Sequence, residues 1–65
     1  MTKLKKLREE KKLSQKEIAD ILGITQQAYS RIELGKAMPS LPKAKEIANF
    51  FNSTIEDIFF ENKSN

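Results

Sequence analysis

The sequence predicts an all-α domain that contains five helices. Its apolar residues recur at intervals of three and four positions rather than two, which is the periodicity of one face of an α-helix. Residues that favour helix starts and helix ends divide these apolar stretches into five segments. A length of 65 residues allows one domain with a small core. We therefore interpret residues 1–65 as a single compact domain.

The first two helices are predicted by an apolar face and by a capping box. The first helix, over about residues 2–12, is charged apart from leucines that share one face. Ser14 and Glu17 have the spacing of a capping box, in which each side chain accepts a hydrogen bond from the other residue's amide. This box begins a second helix over about residues 15–22. The predicted apolar side of this helix consists of Ile18, Ala19, Ile21 and Leu22.

A glycine separates the second helix from the third. Gly23 is expected to end the second helix with a positive φ, where a Cβ atom would be costly. Thr25 can cap a third helix over about residues 26–34, and Gly35 ends it. The residues expected to point inward are Ala28, Tyr29 and Ile32.

Two further helices complete the chain. Ser40 caps the fourth helix, and Pro42 is tolerated in its first turn because amides there have no helical partner. Its predicted buried stripe consists of Leu41, Ala44, Ile47, Ala48 and Phe51. Thr54 and Asp57 have the spacing of another cap and begin a short fifth helix. Residues 61–65 are expected to form a frayed tail.

The composition argues against several classes of function. The chain has no Cys and no His, so it lacks thiolate ligands, the commonest general base and the commonest zinc ligand. No apolar run approaches the roughly 18 residues of a transmembrane helix. We therefore expect a cytoplasmic protein that is not an enzyme and uses no cofactor, metal ion or membrane.

The charge is distributed unevenly along the chain. The net charge is +3, yet residues 1–16 contain seven basic and two acidic side chains, whereas residues 17–65 contain five and seven. A positive end on a weakly negative body can steer a protein toward a polyanion. The same lysines also suit an ordinary solvated helix face, so charge alone does not choose between the two interpretations.

Residues 15–34 form the segment that indicates function. They comprise a helix of about eight residues, a turn of three or four residues around Gly23, and a helix of about nine residues. The outward positions of the second of these helices carry hydrogen-bonding side chains without a carboxylate: Gln26, Gln27, Ser30 and Arg31. Gln can bond bidentately to adenine and Arg to guanine in the major groove, which also admits an α-helix. The pattern favours a helix that reads base edges in duplex DNA.

These features resemble the phage-repressor (Xre/Cro-type) helix-turn-helix family of DNA-binding domains. The resemblance extends from about Leu4 to Phe59 and depends on the run LSQKEIADILGITQQAYSRIELGKAMPSL and the ending KEIANFFNSTIEDIF. It implies a lambda-repressor-like fold and a sequence-specific transcriptional regulator, either a repressor or an activator. The implied recognition helix spans about residues 26–34, and its implied base-reading residues are Gln26, Gln27, Ser30 and Arg31.

The resemblance also implies contacts to the DNA phosphates and one structural ion pair. Gln15 matches a glutamine that reaches the backbone and braces the recognition helix, while Lys36 and Lys43 match positions that hold phosphate. The full set of implied phosphate contacts is Gln15, Lys16, Thr25, Tyr29, Lys36 and Lys43. Arg8 and Glu33 match a family pair that forms a salt bridge between the first and third helices.

Tyr29 departs from the family pattern, which commonly has a branched aliphatic residue at this position. Its ring can fill the core, but its hydroxyl needs water or a partner. We therefore expect the tip of Tyr29 to point toward a phosphate.

Phe50 and Phe60 fall outside the predicted core stripes and indicate an apolar patch for a second subunit. One small module covers few base pairs, and related regulators dimerise on palindromic sites. Alternatively, Phe50 covers the edge of the core and Phe60 lies in a frayed end. We expect a homodimer on duplex DNA, with control by an antagonist protein among the alternatives and no small-molecule effector. The competing interpretation is a protein-interaction module on the same fold, such as an antitoxin or a bridging factor.

Overall fold

The computed structural model describes residues 2–60, which form five α-helices. They are α1 (Leu4–Glu10), α2 (Gln15–Leu22), α3 (Gln26–Glu33), α4 (Leu41–Phe50) and α5 (Ile55–Phe59). No strand occurs within residues 2–60, and no helix there is long and apolar enough to cross a membrane. The predicted all-α class and five-helix order are confirmed. The predicted frayed tail, residues 61–65, lies outside the described residues.

Short polar side chains cap the amino-terminal ends of four helices. The hydroxyl of Ser14 accepts a hydrogen bond from the Glu17 amide, and the Glu17 carboxylate accepts one from the Ser14 amide at 2.8 Å. Thr25, Ser40 and Thr54 each accept a hydrogen bond from the amide three residues later. Because amides in a first helical turn have no partner inside the helix, these bonds define where α2 to α5 begin.

Helix α1 is shorter than predicted at both ends. The amide of Thr2 donates to the carbonyl of Glu33 at 3.3 Å, and the amide of Lys3 donates to the carbonyl of Ile58 at 3.4 Å. These two residues therefore connect to α3 and α5 instead of extending α1. At the other end, Lys12 has a left-handed backbone with φ 59°, which stops the helix.

One apolar core includes residues from all five helices. Its buried members are Leu4, Ile18, Ala19, Leu22, Tyr29, Ile32, Ile47, Ala48, Phe51 and Ile58. Two predicted core positions are wrong, since Ile21 is half exposed and Leu41 is 73% exposed. Leu41 is the first residue of α4, and side chains on a helix lean toward its amino terminus, so this one projects beyond the packed face. Ile21 lies at the margin of the inward stripe of α2.

The turn between α2 and α3 depends on Gly23. Its φ of 72° is left-handed, and its amide donates to the carbonyls of Ala19 and Asp20 at the end of α2. A Cβ atom at this position would meet no atom within 4 Å, so the backbone conformation, not the available space, favours glycine. The turn packs α3 against α2 and the core. One face of α3 remains exposed to solvent.

Candidate nucleic-acid interface

Helix α3 exposes a row of polar side chains along one face. Gln26, Gln27 and Arg31 are exposed, and Ser30 is half-buried. The opposite face carries Tyr29 and Ile32, which are buried in the core. The four predicted base-reading residues therefore belong to the part of α3 that faces away from the core, and none of them carries a negative charge. Such a face can donate and accept hydrogen bonds with base edges.

A buried ion pair holds the carboxyl-terminal end of α3. Nε of Arg8 donates to Oε1 of Glu33 at 2.9 Å, and Nη2 donates to Oε2 at 3.0 Å. The remaining guanidinium nitrogen, Nη1, donates to the carbonyl of Leu13 at 2.9 Å. Nε2 of Gln15 also donates to Oε2 of Glu33, at 3.3 Å. Arg8 and Glu33 thus form the implied bridge between α1 and α3, and Gln15 connects it to the start of α2.

The pair shifts the pKa of both of its members. Burial alone would raise the pKa of the Glu33 carboxyl, but the hydrogen bonds from Arg8 and Gln15, together with the charge of Arg8, lower it below its ordinary value. The hydrogen bond to Glu33 raises the pKa of Arg8. Glu33 is therefore an ionised residue whose charge is neutralised inside the protein, so this acid on α3 does not face an approaching phosphate.

Thr2 contacts α3, and the sequence pattern did not predict this contact. Its hydroxyl donates to the backbone carbonyl of Glu33 at 2.9 Å and accepts a hydrogen bond from the amide of Leu4 at 3.1 Å. Thr2 lies one residue before Lys3, the N-cap residue of α1, so its bond to the Leu4 amide is a local contact at the start of that helix. Its bond to Glu33 spans 31 positions of sequence, so no local pattern could have indicated it.

The predicted phosphate contact of Tyr29 is contradicted by the structure. The Tyr29 side chain is fully buried, and within the described residues its hydroxyl forms no hydrogen bond. Burial raises the pKa of this hydroxyl, and the neighbouring Glu33 carboxylate raises it further. The aromatic ring fills the place of an aliphatic core residue, and its hydroxyl ends inside the protein rather than at the surface.

The other residues that were predicted to contact phosphate differ in their exposure and in their partners within the protein. Thr25 is exposed and caps α3, and Lys36 is exposed in the loop after it. Lys16 forms a solvent-exposed ion pair with Asp20 at 3.2 Å, which is worth little in water. Lys43 instead folds back onto the protein, where it contacts the carbonyl of Leu22 and the carboxylate of Glu46.

Residues 2–60 contain no cluster of three or more His, Cys, Asp or Glu side chains that could hold a metal ion.

Phe50 and Phe60 occupy different environments. Phe50 is half-buried against the core, with its ring centroid 5.0 Å from that of Phe51, and Nζ of Lys11 lies 5.4 Å from its centroid. Phe60, at the end of α5, is 59% exposed. Core packing and a cation–π contact thus account for Phe50, while Phe60 remains an exposed aromatic side chain.

This chain belongs to the Xre/Cro-type helix-turn-helix family. The family model described as helix-turn-helix matches residues 4–58, which include all of α1 to α4 and most of α5. The match therefore extends beyond the α2–turn–α3 unit to the surrounding helices.

Several similar proteins are named as transcriptional regulators. The uncharacterized HTH-type transcriptional regulator MJ0272 of Methanocaldococcus jannaschii is 47% identical over 57 residues, which are 88% of this chain and 86% of that protein. The SPbeta prophage-derived uncharacterized HTH-type transcriptional regulator YonR of Bacillus subtilis is 47% identical over 47 residues, 72% of this chain and 44% of that protein. HTH-type transcriptional activator BcrR of Enterococcus faecalis is 38% identical over 56 residues, 86% of this chain and 28% of that protein. The chain thus spans less than half the length of the last two relatives.

Loss of Arg8 should destabilise the protein strongly. The Arg8 and Glu33 side chains are only 11% and 4% exposed, so Arg8→Met leaves a carboxylate buried without its partner. We expect the free energy of unfolding to fall by about 3–5 kcal/mol, measured by urea denaturation. The double variant Arg8→Met, Glu33→Leu should recover most of this loss because it removes both charges. A single variant within about 1 kcal/mol of the original protein would contradict this assignment.

The stability should decrease on acidification because of Glu33. Its pKa in the folded protein lies below the ordinary value of 4.5, so the ionised carboxylate stabilises the fold above that pH. This contribution is lost as the pH falls below the ordinary value and through the folded pKa. Urea midpoints recorded between about pH 6 and about pH 3 should fall more steeply for the original protein than for Glu33→Gln. A carboxyl NMR titration of Glu33 that showed an ordinary or raised pKa would exclude this explanation.

Removal of the Tyr29 hydroxyl should not destabilise the protein. The hydroxyl is buried without a hydrogen-bond partner among residues 2–60, so Tyr29→Phe keeps the ring and eliminates an unpaired polar atom. We expect the free energy of unfolding to stay equal or to rise by up to about 1 kcal/mol, measured by denaturation. Tyr29→Leu serves as the control, because it removes ring volume from the core and should be destabilising. A Phe variant less stable by more than about 1 kcal/mol would show that the hydroxyl has a partner.

Proposed function

We propose that this chain is a sequence-specific transcriptional regulator that binds duplex DNA through α3 in the major groove. The observation that carries the proposal is the exposed face of α3, on which Gln26, Gln27 and Arg31 present two amides and one guanidinium. The acid of this helix, Glu33, is buried and paired with Arg8, so it does not oppose the phosphates that border a groove. The names of the similar regulators agree with this function.

The proposed roles on DNA follow from reach and exposure. Gln26, Gln27 and Arg31 read base edges, and the half-buried Ser30 assists them. Gln15, Lys16, Thr25 and Lys36 contact phosphates on either side of the groove, because they lie at the start of α2, at the start of α3 and in the loop after α3. Phosphate contacts set the register of a protein on DNA, whereas base contacts provide specificity.

The proposed binding unit is a homodimer on a palindromic site. The principal dimensions of the chain are 34 × 24 × 19 Å, and half-sites one helical turn apart are separated by about 34 Å. Two copies with their α3 helices in successive major grooves would touch when the longest dimension of each runs along the DNA. The exposed Phe60 is the proposed apolar contact of this dimer, with Phe50 contributing the accessible part of its ring.

Selection from a random duplex library tests the whole proposal. The protein should enrich a palindromic consensus, which would establish sequence specificity and stoichiometry together. Enrichment of a single half-site would retain specific binding and exclude the dimer. Failure to enrich any sequence at low salt would exclude sequence-specific DNA recognition and favour a protein-interaction module.

Substitutions on the selected site should separate base reading from phosphate binding. Arg31→Ala should lower affinity by about 1–3 kcal/mol and relax the preference at one base position, since it removes a bidentate contact. Lys36→Ala should weaken binding to all sequences alike and reduce the slope of log affinity against log salt by about 1. Fluorescence anisotropy across a salt series measures both effects. Equal effects of the two substitutions on every sequence would contradict the assignment of Arg31.

Phe60→Ser should make the protein monomeric at micromolar concentration. The serine removes the exposed aromatic ring at the end of α5 without opening the core, because Phe60 is 59% exposed. Sedimentation equilibrium measures the association state. Leu41→Ser is the matched control, since Leu41 is also an exposed apolar residue but lies at the start of α4. A Phe60→Ser protein that stays dimeric would exclude this interface.

A further inference from the structure

The ammonium group of Lys43 is folded back onto the protein. Its Nζ atom donates to the backbone carbonyl of Leu22 at 2.6 Å and to Oε1 of Glu46 at 2.8 Å. The Lys43 side chain is 28% exposed, whereas that of Lys16 is 71% exposed. An ammonium has three hydrogens to donate, and two of those of Lys43 already have partners within the chain.

The carbonyl that Lys43 contacts lies at the carboxyl-terminal end of α2. Carbonyls in the last turn of a helix have no amide partner within the helix and carry a partial negative charge, which a cation stabilises. Helix α2 has no basic residue in its own last turn, and that turn contains Asp20. Within the described residues, no backbone amide in a turn or loop donates to the carbonyl of Leu22. The cation at this end of α2 therefore comes from α4.

We propose that Lys43 is a positioning residue, which caps α2 from α4 and thereby fixes the helix-turn-helix turn, instead of a phosphate contact. Leu22 directly precedes Gly23, where the chain turns from α2 toward α3. Glu46, one turn further along α4, orients the ammonium toward that carbonyl. The turn is thus held by Gly23 locally and by Lys43 from the neighbouring helix, and the direction of α3 depends on both.

Amide hydrogen exchange tests the cap without DNA. The amides of Gly23 and Ile24 donate to the carbonyls of Asp20 and Ala19 at 3.2 and 3.0 Å, so they report on opening of the turn. Lys43→Met keeps the aliphatic stem and removes the donor, and it should speed exchange of these two amides by about tenfold. Lys45→Met removes the same charge from an exposed position of the same helix and should leave both rates unchanged.

Three further results of this experiment decide the proposal. Lys43→Arg retains a cation with several donors, and it should restore slow exchange of both amides. Unchanged exchange in Lys43→Met would overturn the proposal. An equal acceleration in all five helices would also overturn it, because Lys43 would then support overall stability and not the turn.

The expected effect of Lys43 on DNA binding rests on the proposed function and is measured in a separate experiment. On duplex DNA of mixed sequence, Lys43→Met and Lys45→Met should show the same slope of log affinity against log salt. If Lys43 were a phosphate contact, its variant would have a slope shallower by about 0.9 than that of Lys45→Met. If the original protein binds no duplex DNA, the proposed function fails, while the exchange rates still decide whether Lys43 caps α2.

Discussion

The buried ion pair between Arg8 and Glu33 is the interaction on which the arrangement of the helices depends. Two charges removed from water destabilise a protein unless their hydrogen-bonding groups are closely matched. Here both carboxylate oxygens accept from Arg8, Gln15 donates to one of them, and the carbonyl of Leu13 occupies a further guanidinium nitrogen. Because these groups belong to α1, α2, α3 and the segment between α1 and α2, satisfying one pair of charges holds three helices in a defined relation.

In this arrangement, one face of α3 is held in the protein and the opposite face is exposed. Thr25 holds its amino-terminal end, and the buried Glu33 with Thr2 holds its carboxyl-terminal end. The ring of Tyr29 anchors its middle in the core. The amides and guanidinium on the opposite face are therefore presented from a helix that is fixed along its length. A rigid helix of this kind reduces the ordering that binding to a groove requires.

The helices and most site positions could be predicted from sequence because their causes are local. The capping box of Ser14 and Glu17 acts within one helical turn, and the predicted α2 agrees with the observed Gln15–Leu22. The outward positions of α3 follow from the 3.6-residue period once the helix exists. The incorrect predictions arise from contacts between residues distant in sequence or from positions at the end of a helix. Helix α1 is shorter than predicted because Thr2 bonds to α3, and Leu41 is exposed because it begins α4.

By itself, the sequence determined the order of the helices, the glycine turn and the polar side chains that α3 exposes, because caps, positive φ and helical periodicity act over a few residues. Only the tertiary structure decided which polar atoms meet. The Leu22 carbonyl that Lys43 contacts is 21 positions away, and the Glu33 carbonyl that the Thr2 hydroxyl contacts is 31 positions away. The hydroxyl of Tyr29 is enclosed without a partner among the residues that the structure describes. Such outcomes depend on how helices distant in sequence pack together, and a local pattern contains no information about that packing.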